Sequence, residues 1–299
     1  MIEKNFSKII GFLIFLTFDL MLLGAAVRAL DAGLACPDWP LCFGKVLPKY
    51  DLQVYLEVIH RFIAGFVALI FFVAYAAAFI YPRFKHLRWT LSVGLLLLLA
   101  QIVMGGLTVL KILEPGIVTA HLSLATAFLI SLVVAQHQVE KSRVQVLKNP
   151  TFEKLSFIGV VLVCIQIVLG GWVASNYAGM ACVDFPLCNG QWFPAWTGPI
   201  GAQVIHRLTA YNLALFFVVY FFYALRAASK AQIALVQKKT AFQCLLLIFS
   251  QVTVGVLNLQ LQIPAWMTVL HLGLALYLLL TILKVNLLHI FNKKTEVRF

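Results

Sequence analysis

The chain has 299 residues, 62% of them hydrophobic and 11% charged, and a mean hydropathy of +0.95. That composition excludes an ordinary soluble domain and points to a polytopic membrane protein. The net charge of +12 does not mark a nucleic-acid partner, because Lys and Arg are spread over short loops between apolar runs instead of gathering on one face.

Apolar windows of about 20 residues fall at roughly 9–30, 54–80, 89–110, 117–138, 154–175, 200–225, 240–260 and 266–288, predicting eight transmembrane helices. The first is too long for a signal peptide, despite small residues at Gly24-Ala25-Ala26, and carries Asp19, an acid at mid-membrane depth. Before the second span, the long loop 31–53 contains Cys36-Pro37-Asp38-Trp39-Pro40-Leu41-Cys42. That span opens with Leu56-Glu57-Val58-Ile59-His60-Arg61, the third carries Gln101 and Gly105-Gly106, and the fourth carries His121. The fifth has Gln166 and Gly170-Gly171, and Ile165 stands where a counterpart of Asp19 would be. A second long loop, 176–199, holds Cys182-Val183-Asp184-Phe185-Pro186-Leu187-Cys188, and the sixth span opens with Ala202-Gln203-Val204-Ile205-His206-Arg207. The seventh carries Gln251 and Gly255, and the eighth carries His271 and, near its inner end, Lys284, which snorkels. Cys164 and Cys244 lie inside spans as small hydrophobes. His86, His137 and His289 fall near the basic ends and read as surface residues.

Sixteen Lys and Arg outside the spans, from Lys4 to Arg298, lie on one side, against Lys45, Lys49 and Lys111 on the other. The positive-inside bias puts both termini in the cytoplasm and both long loops outside. Subtraction exposes a repeat. Cys36, Asp38, Pro40, Leu41, Cys42 and His60 recur 146 residues later, and Gln101, Gly105, His121 and Leu122 recur at an offset of 150. Four spans return the chain to its starting side, so two four-helix halves, 1–146 and 147–299, are expected as a parallel internal repeat.

His60, His121, His206 and His271 all lie early in outside-to-inside spans, roughly 6–10 Å below the outer helix ends at about 1.5 Å per residue. A lone membrane histidine reads as an interhelical hydrogen bond. Four at one level, two per half, suit bis-histidine ligation of a haem between neighbouring helices. Zinc fits less well, because each half offers only two histidines at that depth and no cysteine. The glycines of the odd spans allow close helix approach, or leave room for a flat macrocycle. The cysteine pairs Cys36-Cys42 and Cys182-Cys188 read as disulfides on the outer side, either structural staples or exchangeable thiols. Glu57 lies on the same helix face as His60, one turn nearer the outer surface, and its counterpart is Gln203. Beside a bound haem, Glu57 can accept a proton or stabilise developing positive charge; otherwise it is a rim acid paired with Arg61 or Lys49. Arg61 and Arg207 are candidates for binding haem propionates, or they snorkel.

The combination of eight spans, Glu57-Val58-Ile59-His60-Arg61, the preceding Cys36 to Cys42 loop and the four histidines resembles the haem A synthase family, over nearly the whole chain. The resemblance implies an oxidoreductase that takes a ring methyl of haem O through an alcohol to the formyl group of haem A, for cytochrome oxidase biogenesis. It implies that His60 and His121 ligate the substrate haem, with Glu57 as the catalytic acid residue. His206 and His271 would hold a haem b that passes electrons. Hydropathy, the basic-residue bias and the depth of the histidines lead to the expectation of a multi-pass location in the cell membrane, with haem sites toward the outer side. Expected partners are haem O synthase and cytochrome oxidase assembly factors, with a membrane quinone as a candidate electron partner and an oligomer open.

Two other readings compete. A dihaem b-type electron carrier linked to quinol explains the histidines and leaves Glu57 against Gln203 unexplained. A membrane thiol oxidase explains the cysteines and ignores the histidines. A prenyltransferase is disfavoured, because the cytoplasmic loops have no aspartate-rich diphosphate-binding segment.

Overall fold

The computed structural model describes residues 2–48, 51–140, 146–192 and 194–291; Lys49, Lys141, Arg143, Lys293, Lys294 and Arg298 lie outside them. Its described residues form eight long helices: α1 (Ile2–Ala29), α2 (Leu52–Ile80), α3 (Arg88–Leu110), α4 (Pro115–Val139), α5 (Pro150–Ser175), α6 (Gly198–Ser229), α7 (Leu235–Gln260) and α8 (Ala265–Phe291). A 3-10 turn, Pro82–Leu87, leads into α3. All eight are long and apolar enough to cross a membrane, with spans of 25 to 32 residues. At 1.5 Å per residue even the shortest exceeds a hydrocarbon core of about 30 Å.

The helices overrun the apolar windows because polar caps set their ends. Asp51 accepts from the Val54 amide at 3.2 Å, and Asn149 from Phe152 at 2.9 Å. Glu114 accepts from Gly116 and Ile117 at 3.2 and 2.9 Å. Pro115 and Pro150 then occupy first-turn positions, where a missing amide hydrogen has no consequence.

Helix α1 packs on α2 and α4, and α3 packs on α2 and α4; α5 to α8 make the corresponding ring of contacts. One core joins Phe6, Ile10, Phe71, Leu91, Phe128 and Leu132 across the first ring. A second joins Phe152, Val163, Phe217, Ile248 and Leu279, and draws in Met21 from α1 and Leu129 from α4. The rings meet where α1 touches α8 and α4 touches α5 and α8. At the end of this seam nearest the long loops Thr119 and Ser175 share a hydrogen bond of 2.9 Å. There too Arg28 donates to the Ala174 carbonyl at 3.0 Å and lies 3.8 Å over the Tyr177 ring, a link the sequence did not announce. Large side chains such as Phe66, Leu69, Val73, Leu96 and Phe222 point outward. Lipid is the solvent that makes this exposure favourable.

One expectation is corrected. His289 is not a surface residue: it is 6% exposed, its Nδ1 lies 3.6 Å from Glu153 and its Nε2 3.4 Å from the Gln237 amide. The ring packs on Phe152 at 5.6 Å. His86 is exposed, whereas His137 is half-buried against Phe291. Lys284 is exposed and Cys244 is buried, as expected.

Candidate functional site

The site begins in the two long loops, which are built alike. Disulfides join Cys36 to Cys42 and Cys182 to Cys188, and the sulfurs are buried against Val54 and Val58 in one loop and Val204 in the other. Asp38 accepts from the Phe43 and Gly44 amides at 2.6 and 2.8 Å, and Asp184 from Asn189 and Gly190 at 2.5 and 2.8 Å. Gly44 and Gly190 have φ of 67° and 75°, a left-handed conformation that glycine adopts without steric strain. Those amides, Gly44 and Gly190 first, hold both aspartates below their ordinary pKa, with the nearby arginines a minor contribution.

Each loop is tied down from below by an arginine. Arg61 Nη1 donates to the carbonyls of Asp38 at 2.8 Å and of Leu41. Arg207 Nη1 donates to Asp184 at 2.8 Å and Leu187 at 2.7 Å. Both guanidinium groups are therefore directed at loop carbonyls, which neither spacing nor composition foretold.

The second hydrogen-bonding arm of each arginine is where the two loops differ. In the first, Arg61 Nη2 pairs with Glu57 Oε1, and Glu57 Oε2 accepts from the Cys36 amide at 2.8 Å. Glu57 is only 4% exposed. In the second, Gln203 instead donates to the Gly179 carbonyl at 3.0 Å, and Arg207 Nη2 donates to the Cys182 carbonyl at 2.7 Å. The Cys36 amide thus donates to Glu57, whereas at Cys182 it is the carbonyl that is engaged, by Arg207. A carboxylate stands one turn from His60, where an uncharged amide stands one turn from His206.

Below the loops stand the four histidines, on α2, α4, α6 and α8. Each imidazole packs against a glycine of the preceding helix. A Cβ on Gly24 would lie 3.2 Å from His60, on Gly105 3.2 Å from His121, on Gly170 3.2 Å from His206 and on Gly255 3.0 Å from His271. One turn before three of these glycines a glutamine amide reaches a ring nitrogen. Gln101 is 3.2 Å from His121, Gln166 is 3.1 Å from His206 and Gln251 is 3.3 Å from His271. Nδ1 of His121 and of His271 is buried without a hydrogen-bond partner. Among the described residues no group of three or more His, Cys, Asp or Glu could hold a metal ion.

Asp19 is half-buried on α1 and makes no hydrogen bond or ion pair among the described residues. A cavity of about 530 Å³ opens between α4, α5 and α6, lined by Thr119, Trp172, Trp196 and Ile205 among others. It lies beside the histidine pairs and not on them, since imidazole and glycine close on each other at the pairs themselves.

Fold and site define a multi-pass, all-helical membrane protein with paired histidines beneath disulfide-tied loops. The chain belongs to the Cytochrome oxidase assembly protein family (COX15-CtaA), whose family model matches residues 7–283. It is 29% identical to "Heme A synthase" of Shewanella oneidensis, over 90% of this chain and 92% of that protein. It is 30% identical to "Heme A synthase" of Halalkalibacterium halodurans, over 83% and 85%, and 27% identical to that of Flavobacterium psychrophilum, over 97% and 100%.

Proposed function

We propose that this protein is a haem A synthase, an oxidoreductase that converts a ring methyl of haem O through an alcohol to the formyl group of haem A. Three relatives of that printed name, similar over most of their length, support the activity. The observation that carries the mechanism is buried Glu57, paired with Arg61 one turn above His60, where α6 has the amide Gln203.

In this reading residues 1–146 form the catalytic half and residues 147–299 the electron-carrying half of a parallel repeat. His60 and His121 hold the substrate haem O. His206 and His271 hold a haem b, which when bound supplies one-electron chemistry. What favours such a group is a buried ring nitrogen without a hydrogen-bond partner in each half, Nδ1 of His121 and of His271, with all four imidazoles seated on glycines that a Cβ would crowd.

Going from methyl to formyl adds one oxygen and removes two hydrogens, a four-electron oxidation whose oxidant and oxygen come from outside this chain; the part a side chain can play is to take a hydrogen of the reacting carbon as a proton. Glu57 Oε1 and Oε2 are the buried acceptors one turn from His60, and the carboxylate can take such a proton or stabilise positive charge developing at the methyl. Arg61 and the Cys36 amide fix the carboxylate in place, so its geometry precedes substrate binding. Because Arg61 also grips the loop carbonyls, a propionate contact would couple haem seating to loop closure. The disulfide-tied loops cover the outer ends of the site.

Both termini lie in the cytoplasm and both loops outside, in the cell membrane, on the strength of the basic-residue bias. Haem O synthase, cytochrome oxidase assembly factors and a membrane quinone are the partners this chemistry calls for. The test is production of haem A in a host that makes haem O and lacks its own route onward. The parent protein should yield haem A, while Glu57→Gln should leave haem O unconverted. A folded parent that binds haem O and never changes it would overturn the proposal.

A further inference from the structure

Arg28, at the loop end of α1, has no part in the site as described so far. Its side chain is 18% exposed, and its Nε is the one guanidinium nitrogen among the described residues that is buried without a hydrogen-bond partner. Nη2 donates to the Ala174 carbonyl at 3.0 Å, and the planar group lies 3.8 Å over the Tyr177 ring. Nη1 has only Asp31, 79% exposed, at 3.7 Å. A buried donor without an acceptor is costly, and more so when it carries charge.

The helices that carry these contacts fix where the group lies. Arg28 stands one turn after Gly24, on the face that meets His60, and Ala174 stands one turn after Gly170, on the face that meets His206. Arg28 and Ala174 are 146 residues apart, the offset at which the cysteine loops recur. Asp31 and Tyr177 are a second such pair, each with φ of 52°. The guanidinium group therefore sits where corresponding ends of α1 and α5 approach, one turn nearer the loops than the glycines under His60 and His206. It is unmatched in α5, where Ala174 stands. A haem seated on His60 brings two propionate carboxylates, and Arg61 and Arg207 already have both Nη atoms engaged, by loop carbonyls and by Glu57. Arg28 has donors to spare, and a guanidinium group can take a carboxylate through two N–H groups. The Ala174 carbonyl and the Tyr177 ring hold it in place beforehand, so less freedom is lost on binding.

We propose that Arg28 binds a propionate of the haem O seated at the first histidine pair, held in position by α5 through the Ala174 carbonyl and the Tyr177 ring, so that seating of the substrate depends on contact between the two halves. This rests on the assignment of the first histidine pair to substrate. A lipid phosphate or free phosphate has the same anionic chemistry, and a haem without carboxylates tells the sources apart.

The test titrates full-length protein, purified with haem b from cells that make no haem O, with haem O or with its dimethyl ester, and reads binding from the haem absorption band. The ester keeps the ring and the tail and has no carboxylates. The parent should bind haem O about 10- to 100-fold tighter than the ester, the worth of a hydrogen bond between charged groups. Arg28→Gln keeps an amide donor for the Ala174 carbonyl and lacks the charge; it should bind haem O that much more weakly, no longer distinguish it from the ester, and keep the parent's haem b content. Arg28→Lys should recover part of the difference, because it restores the charge but not the fork. A parent that binds acid and ester alike would overturn the proposal whether or not any variant folds. So would an Arg28→Gln protein that distinguishes them as the parent does, or one that weakens both equally, which would make Arg28 a brace between the halves or a site for phosphate. Each of these would leave the synthase reading standing. A parent that takes up neither haem O nor its ester would overturn the synthase reading and this assignment together.

Discussion

Changing Glu57 to Gln removes one charge and leaves the shape of the side chain. Its carboxylate serves two donors, Arg61 Nη2 and the Cys36 amide, at a site where the side chains are 6% and 16% exposed for Glu57 and Arg61. An amide has a single acceptor oxygen, so one donor loses its partner and a new N–H₂ group must find an acceptor. Breaking a buried ion pair outright typically costs about 3–5 kcal/mol. Here the loss should be nearer 2 kcal/mol, the worth of one hydrogen bond to a charged group, because Arg61 keeps the carbonyls of Asp38 and Leu41. The second loop is a natural control, since it is folded with Gln203 and Arg207 in the same places. Glu57→Gln should therefore fold, form its disulfides and bind haem, with a modestly lower melting temperature. Turnover of haem O to its alcohol and to haem A should fall about 10²- to 10⁴-fold, the usual contribution of a positioned acid or base. The assay pairs thermal unfolding and haem content with timed chromatography of the products. A variant that binds haem O and converts it at the parent rate would refute the catalytic role. A variant that cannot fold would make Glu57 a structural acid.

The glycine walls give a second prediction: Gly255→Ala, whose Cβ would sit 3.0 Å from the His271 ring, should lose haem b while retaining haem at the first pair, read by haem analysis of the purified variant. Replacing both Cys36 and Cys42 by Ser opens a loop with a sequence separation of 6, which should lower stability by about 2 kcal/mol and leave folded, haem-loaded protein active. Complete loss of turnover in such protein would show that the thiols take part in the reaction. The Asp38 carboxylate is held below its ordinary value of 3.8 by the Gly44 and Phe43 amides, so its stabilisation is complete above that pH and is lost as pH falls through the lowered value. Amide exchange at Phe43 and Gly44 should accelerate only in that acidic window, and Asp38→Asn should accelerate it at neutral pH.

Much of this architecture is written in hydropathy, because a bilayer imposes one length and one polarity on every span. The helix ends were less legible. Asp51, Glu114 and Asn149 extend α2, α4 and α5 by capping, and a hydropathy window does not register a cap. The four histidines stood out because polar residues are rare at their depth, and their glycines because the spacing repeats. The glutamine contacts were visible as sequence but not as bonds, since helix rotation decides whether Gln101 meets His121. Arg61 and Arg207 were less legible still. Their partners are backbone carbonyls of folded loops, which have no sequence signature. His289 was misjudged for the same kind of reason: its burial comes from Phe152, Glu153 and Gln237, brought to it by α5 and α7.

The most direct test of the account is to purify the protein from cells that make haem O, extract its haems and identify them by chromatography with mass detection, for the parent and for His60→Ala and His206→Ala. The account predicts haem b together with haem O, its alcohol or haem A in the parent. Haem O and its products should be lost in His60→Ala, and haem b in His206→Ala. Haem b alone in the parent, despite available haem O, would contradict it and make the protein an electron carrier.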